Sequence, residues 1–221
     1  MFTGHYAPAI FFRSIFPKVG LFHLFFAVQF LDYLYMTFLL LGIEKMRIVP
    51  GFTEINPYDL YYMPISHSLV GAFLWSAVVF LVYLLFVFRK WKIKEAILPA
   101  FVVGLCVFSH FALDLPMHKK DLPLFLDAGI KLGFGIWDYK YISLALENGL
   151  ILLTIVLYAK KLKEDSKKKI YILGIVLVLM NLIPLVMPLP GHYAEVGVQA
   201  LIAYIAFNVY AYYLDRKIEY V

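Results

Sequence analysis

The chain has 221 residues, 63% of them hydrophobic and 16% charged, with a mean hydropathy of +0.81. A soluble domain is roughly 45–50% apolar and about 25% charged, so the composition excludes an ordinary soluble protein, a disordered chain and a collagen-like chain. The single cysteine, Cys106, excludes a disulfide scaffold and a cysteine-rich zinc module.

What remains is an integral membrane protein. Six spans of about 20 residues would use roughly 120 residues. Only short loops are left over, so a single membrane domain covering 1–221 is expected. The net charge of +5 comes from 20 Lys and Arg against 15 Asp and Glu. The basic residues fall in short runs between apolar blocks, which is the pattern of topology signals rather than of a nucleic-acid surface.

Taken in chain order, residues 1–16 are apolar but too short to cross a bilayer. They read as an N-terminal half-span helix buried in the bundle, a position tolerated only where protein or a wet cavity covers it. Pro17 and Gly20 turn the chain into the first full span, 20–43. Further spans are expected at 66–88, 94–115, 141–160, 169–190 and 193–214. The fold class is therefore all-α: a polytopic membrane helical bundle of about six transmembrane helices plus the half-span. The loops 44–65 and 116–140 contain the turn formers Pro50-Gly51, Asn56-Pro57 and Pro123 and are too polar to span. Aromatic residues near the span ends, such as Tyr61, Trp91, Trp137 and Tyr212, suit interfacial belts. No cleavable signal peptide is evident.

With six spans both termini share one face. That face collects 14 of the basic residues, including Arg89, Lys90, Lys92 and Lys94 and the run from Lys160 to Lys169, against 6 on the other. The positive-inside rule then places both termini in the cytoplasm.

An ionisable residue inside a span costs about 3 kcal/mol or more and is a functional candidate by default. The candidates are His5, Asp32, His67, His110, Asp114, Glu147 and Glu195. His110 and Asp114, four apart, share one helix face, the spacing by which a helix offers two ligands to one metal. Folding 1–43 as a hairpin that turns near residue 18 puts His5 and Asp32 at equal height, roughly 20 Å above the turn. Folding 66–115 about residue 91 does the same for His67 and Asp114, with His110 one turn lower. Five polar residues thus converge toward the outer half of the membrane. Three imidazoles and two carboxylates suit zinc, manganese or iron, and a shared carboxylate can bridge two metals. The competing reading is a hydrogen-bonded polar plug that fixes helix packing.

Other polar residues read more plainly. His23 is a packing or interfacial histidine, and His192 a solvated loop histidine. Glu147, Asn148, Asn181, Glu195 and Gln199 either line a cavity or bond helix to helix. Lys119, Lys120, Lys131 and Lys140 are solvated loop charges that could attract a phosphate at the outer mouth. Gly133-Phe-Gly lacks the spacing of a phosphate loop, and Cys106 is a packing residue.

Gly4-His5-Tyr6-Ala7-Pro8, Asp32, Ser66-His67-Ser68 and Ser109-His110-xxx-Asp114 together resemble the bacterial membrane-bound metal-dependent hydrolase family. Its members include inner-membrane hydrolases described as LexA-binding and small membrane proteins often labelled permeases. The stretches from Gly42 to Gly51 and from Asp59 to Ser68 look typical of the small members, and the likeness covers nearly the whole chain. The chain departs from the LexA-type pattern in two places. Asp32 is followed by Tyr33 rather than by a dense acidic and histidine cluster, and Tyr61-Tyr62-Met63-Pro64-Ile65 lacks an extra histidine.

The ligand order is also similar to that of zinc-dependent phospholipase C and related single-strand nucleases. That likeness implies Asp32, His67, His110 and Asp114 on one metal, and His5 with a bridging Asp114 on a second. His118 and Glu147 fall loosely where a third site would be.

The resemblance implies a multi-pass protein of the cell inner membrane. The leading expectation is a hydrolase with zinc, or another divalent metal such as manganese, acting on a phosphate or acyl ester of a lipid-like substrate near the outer leaflet. Asp114 or Glu147 would serve as catalytic base. The expected partners are the lipid bilayer and a lipid-like or phosphorylated small substrate, not nucleic acid. A small-molecule permease is the alternative, completed by a homodimer because the chain shows no internal repeat. The third reading is a non-catalytic membrane scaffold with a structural polar cluster.

Overall fold

In the computed structural model, residues 3–221 are described, and residues 1 and 2 of the expected half-span lie outside them. The chain is mostly helical. A 3-10 turn, Thr3–His5, leads into α1 (Tyr6–Ile15), followed by α2 (Leu21–Val28) and α3 (Phe30–Leu40). Then come α4 (Leu69–Val82), α5 (Ile93–Met117), α6 (Lys140–Ala159), α7 (Glu164–Leu182) and α8 (Tyr193–Asp215). Two antiparallel hairpins interrupt the helices: β1 (Lys45–Ile48) with β2 (Tyr58–Tyr62), and β3 (Leu122–Phe125) with β4 (Ala128–Leu132).

Among the described residues five helices are long and apolar enough to cross a membrane, or six if α2 and α3 count as one bent span. They begin and end close to the expected spans, with two differences. The span expected at 20–43 breaks at Gln29, where α2 and α3 meet at 51°. The span expected from 169 starts earlier, at Glu164, because the lysine run is itself helical. Glu164 and Asp165 occupy its first turn, where carboxylates suit the positive helix end, and Lys167 pairs with Glu164. The regions read as plain loops hold the two hairpins, so the architecture is not purely α. Their strands are short and joined by turns that need Gly51 and Gly129 in left-handed conformations.

α5 runs through the centre. It packs on α4 and α2, while α6 packs on α1 and α7, and α8 on α2 and α3. α4 and the π-helical turn that continues it, Tyr83–Val87, point Phe73, Leu74, Val78, Leu81, Leu85 and Phe86 outward, each more than 40% exposed. A continuous apolar helix face of that kind on a soluble monomer would be exceptional.

The end of the bundle where α1 and α8 finish is fastened by a buried ion pair. Arg13 Nε donates to Asp215 Oδ1 at 2.7 Å, and the backbone N–H of Leu21 donates to Asp215 Oδ2 at 3.2 Å. Arg13 also donates to the Pro17 carbonyl, and Lys161 Nζ to that of Ser14. This clamp joins α1, the 16–20 turn and the C-terminal end of α8. Arg13→Ala leaves the Asp215 carboxylate half-buried and without its guanidinium. It should lower stability by about 3 kcal/mol, read as a drop in the thermal or denaturant midpoint of the purified protein. Lys163→Ala, which breaks an ion pair more than half exposed on both sides, should leave the midpoint unchanged.

Candidate metal centre

Four segments deliver the polar residues to one end of the bundle. His5 closes the 3-10 turn before α1. Asp32 lies in the first turn of α3, and His67 in the tight turn before α4. His110 and Asp114 occupy the last turns of α5, and His118 follows its last residue.

Local structure explains each placement. The break at Gln29 does two things at once. It starts a new helix whose positive end sits beside Asp32, and it leaves the Val28 carbonyl next to α5, where His110 Nδ1 donates to it at 2.6 Å. The turn before α4 is tight enough that a Cβ on Gly71 would lie 2.6 Å from the Ile65 carbonyl oxygen. Ser68 caps the helix by accepting from Gly71 N–H at 3.0 Å. After α5, a Cβ on Gly133 would lie 1.7 Å from the Lys119 carbonyl oxygen. That close approach lets Phe134 and Gly135 donate to the carbonyls of Leu115 and His118.

Hydrogen bonding also fixes which ring nitrogen faces inward. A carbonyl can only accept, so His110 Nδ1 carries a hydrogen and Nε2 of the neutral ring is a lone pair. Ser66 Oγ donates to Glu44 Oε2 at 2.6 Å, which spends its one hydrogen. His67 Nδ1, 2.8 Å from that oxygen, must therefore donate to it and leave its own Nε2 as a lone pair. Glu44 is fully buried and also accepts from the N–H groups of Ile65 and Ser66. His118 Nδ1 bonds Asp121 Oδ1 at 3.0 Å, so its Nε2 turns to Asp114 as well.

The inward atoms converge. His67 Nε2 and His110 Nε2 are 3.3 Å apart. Asp32 Oδ1 lies 3.5 Å from each, and Asp114 Oδ2 lies 3.6 and 3.2 Å from them. Around a tetrahedral cation with bonds of about 2.0–2.1 Å, ligand atoms are separated by about 3.3–3.4 Å. The five separations sit within a few tenths of that value. The other oxygen of Asp114, Oδ1, faces His5 Nε2 at 3.1 Å and His118 Nε2 at 3.5 Å. The rings of His5 and His110 stack at 3.6 Å. Ligand atoms of Asp32, His67 and His110 all lie within 4.8 Å of one another, as do those of His5, His110 and Asp114. Asp32 Oδ2 is held from α8 by the Tyr204 hydroxyl at 3.0 Å. These buried His and Asp groups can hold a metal ion.

The five residues expected to meet do meet. Glu147 lines the adjoining cavity from α6, buried. Sequence reasoning had no signal for Glu44 as a partner of His67, because it reads as one more charge in a polar loop. His118, matched loosely by resemblance, stands against Asp114, and its spacing of four after Asp114 was the available signal. His23 packs between Tyr83 and Phe88 and bonds the Tyr83 hydroxyl. His192 caps α8 by accepting from Ala194 N–H. Asn181 bonds Asn148 between α7 and α6. Glu195 accepts from Gly191 N–H at the surface, and Gln199 lines the cavity. Lys119 and Lys131 tie loops through Asp138 and Asp127, and Cys106 is fully buried packing.

The cavity, of about 310 Å³, opens beside the cluster. Asp32, His67, Asp114 and His118 form its polar end, and its remaining walls are mainly apolar. No family model matches the chain, and no curated protein or solved structure is significantly similar to it.

Partners that orient metal-bound histidines commonly alter metal affinity by about 10–100-fold when removed. Ser66→Ala should therefore weaken divalent-metal affinity by about that factor, measured by competition with a chromophoric chelator. An unchanged affinity would show that the Glu44–Ser66 pair does not orient His67.

Proposed function

We propose that the chain is a multi-pass membrane metallohydrolase whose zinc-type centre lies in the outer half of the bilayer, with its C-terminus cytoplasmic. It would cleave a phosphate or acyl ester of a lipid-like substrate. The observation that carries this reading is the convergence of lone pairs. Four imidazole nitrogens, of His5, His67, His110 and His118, and the oxygens of Asp32 and Asp114 point at shared space with no lysine or arginine among them. In a low-dielectric interior a cation bound among such acceptors is strongly favoured.

Asp32, His67, His110 and Asp114 Oδ2 would hold one ion. His5, His118 and Asp114 Oδ1 would contribute to a second, with Asp114 as the bridge. A divalent cation bound there supplies Lewis acidity, polarising an ester and acidifying water. The chain's own groups do the rest. Glu44 through Ser66, the Val28 carbonyl and Asp121 keep three histidines presenting Nε2. Tyr204 holds Asp32 by its outer oxygen. Glu147, on the cavity wall, is the carboxylate placed to take a proton. Trp137, packed on His118 at 4.2 Å, covers one side of the centre and excludes water from it.

The test is elemental analysis of the purified protein in a non-chelating detergent, beside the double variant His110→Ala/Asp114→Ala. One or two equivalents of zinc or manganese are expected in the parent and none in the variant. Hydrolysis of phosphoester and acyl-ester probes should be lost together with the metal. No metal in the parent, even after adding it back, would overturn the metallohydrolase reading.

A further inference from the structure

The cavity reaches beyond the polar cluster. Its wall along α8 is one helix face, formed by Val196, Ala200, Ala203 and Tyr204. From Val196 to Tyr204 that face runs about 12 Å along the helix. Ala200 and Ala203 leave a groove there, and Met36 and Met180 border it with thioether side chains that adapt to irregular shapes.

Two routes lead into this space, and they differ. On the loop side the β1–β2 region covers it, and that cover is tied down. Lys131 Nζ donates to the Tyr61 carbonyl, Lys119 Nζ to that of Phe52, the Glu54 N–H to that of Trp137, and the Lys140 N–H to Glu54 Oε2. On the helix side no hydrogen bond or ion pair between α7 and α8 is seen among the described residues. α7 packs chiefly along α6, and α8 along α2 and α3, so these two consecutive helices take different main neighbours. The cavity is lined both by the end of α7, through Asn181 and the Ile183–Leu185 turn, and by α8.

We propose that one hydrocarbon chain of a membrane-borne amphiphile enters sideways between α7 and α8 and lies along the Ala200–Ala203 groove, with its anionic head at the histidine–aspartate end. A volume of about 310 Å³ is at the bottom of the range of about 300–1,000 Å³ for ligand pockets. It admits one slender chain and not the whole body of a two-chain lipid. The placement of the head rests on the metallohydrolase reading. The chain site rests only on the cavity, its apolar walls and the open helix side.

Trp137 lines the cavity and is only 7% exposed, so its emission reports on the cavity rather than on the bulk bilayer. The experiment uses the full chain carrying Trp75→Phe and Trp91→Phe, in lipid nanodiscs, with dodecyl phosphate brominated on the chain carbons nearest its head, the part that lies beside Trp137, as the probe. Saturable quenching of Trp137 is expected, absent with the unbrominated probe and lost in Ala203→Phe. Should Ala203→Phe fail to fold by circular dichroism, Ala200→Leu fills the same groove and replaces it. Quenching that never saturates, or that persists with the groove filled, overturns the chain site. Metal content measured on the same samples separates the two readings. Metal without quenching overturns the chain site alone, and quenching without metal overturns the metallohydrolase reading alone.

Discussion

One carboxylate organises this protein. Asp114 is almost fully buried, and its two oxygens face two pairs of imidazoles, His67 and His110 on one side and His5 and His118 on the other. An ionised carboxylate held away from water is strongly disfavoured unless positive charge or hydrogen bonds compensate it. Neutral histidines presenting lone pairs make the problem worse. Positive charge at its middle, carried by protons on the rings or by metal ions, stabilises the cluster. The outward hydrogen bonds of His67 and His110 fix Nε2 as the inward atom of each ring, the atom that either a proton or a metal would occupy.

Much of the irregular structure serves that arrangement. A continuous helix over residues 21–40 would bury the Val28 carbonyl in its own backbone ladder and give Asp32 no helix end to sit on. The break at Gln29 supplies both. A continuous helix into α4 would likewise leave no turn to hold Ser66 and His67 against Glu44. Such departures from regular backbone are tolerated at membrane depth where protein covers them, and here they coincide with the ligand positions. The two hairpins close the same end of the bundle. Their ties run from one loop region to the other, so the cover over the cavity is a joint product of both.

The helices and their ends were legible in the sequence because apolar length and basic punctuation are strong signals for a chain in lipid. The meeting of His5, Asp32, His67, His110 and Asp114 was legible for a simpler reason. Helical rise is constant, so equal distances from two turns give equal heights. What could not be read were contacts made by loops. Glu44 looks like a solvated charge until the chain returns at Ser66, and the break at Gln29 has no proline or glycine to announce it. The hairpins escaped notice because a strand of four or five residues is too short for its alternation to stand out among so many aromatic and branched residues. Glu147 illustrates the opposite limit. Its helix position was clear, but its distance from the cluster depends on how α6 lies against α1, which no periodicity encodes.

The site and the clamp at the far end are parts of one construction. α1 has His5 at its start and Arg13 two turns on, about 12 Å away. Arg13 is pinned to Asp215 at the end of α8. α8 in turn carries Tyr204, which holds Asp32, and Ala200 and Ala203, which shape the cavity. The first and last helices are therefore fixed to each other at one end and to the ligand cluster at the other. Between them they place His5 and Asp32, the two ligands that do not belong to the α4–α5 pair. A tight fastening far from the chemistry is what such an arrangement requires. Ligand atoms a few tenths of an ångström apart in tolerance cannot be held by two helices free to slide, and the apolar contacts along α1 and α8 resist sliding far less than a buried ion pair with directed hydrogen bonds does.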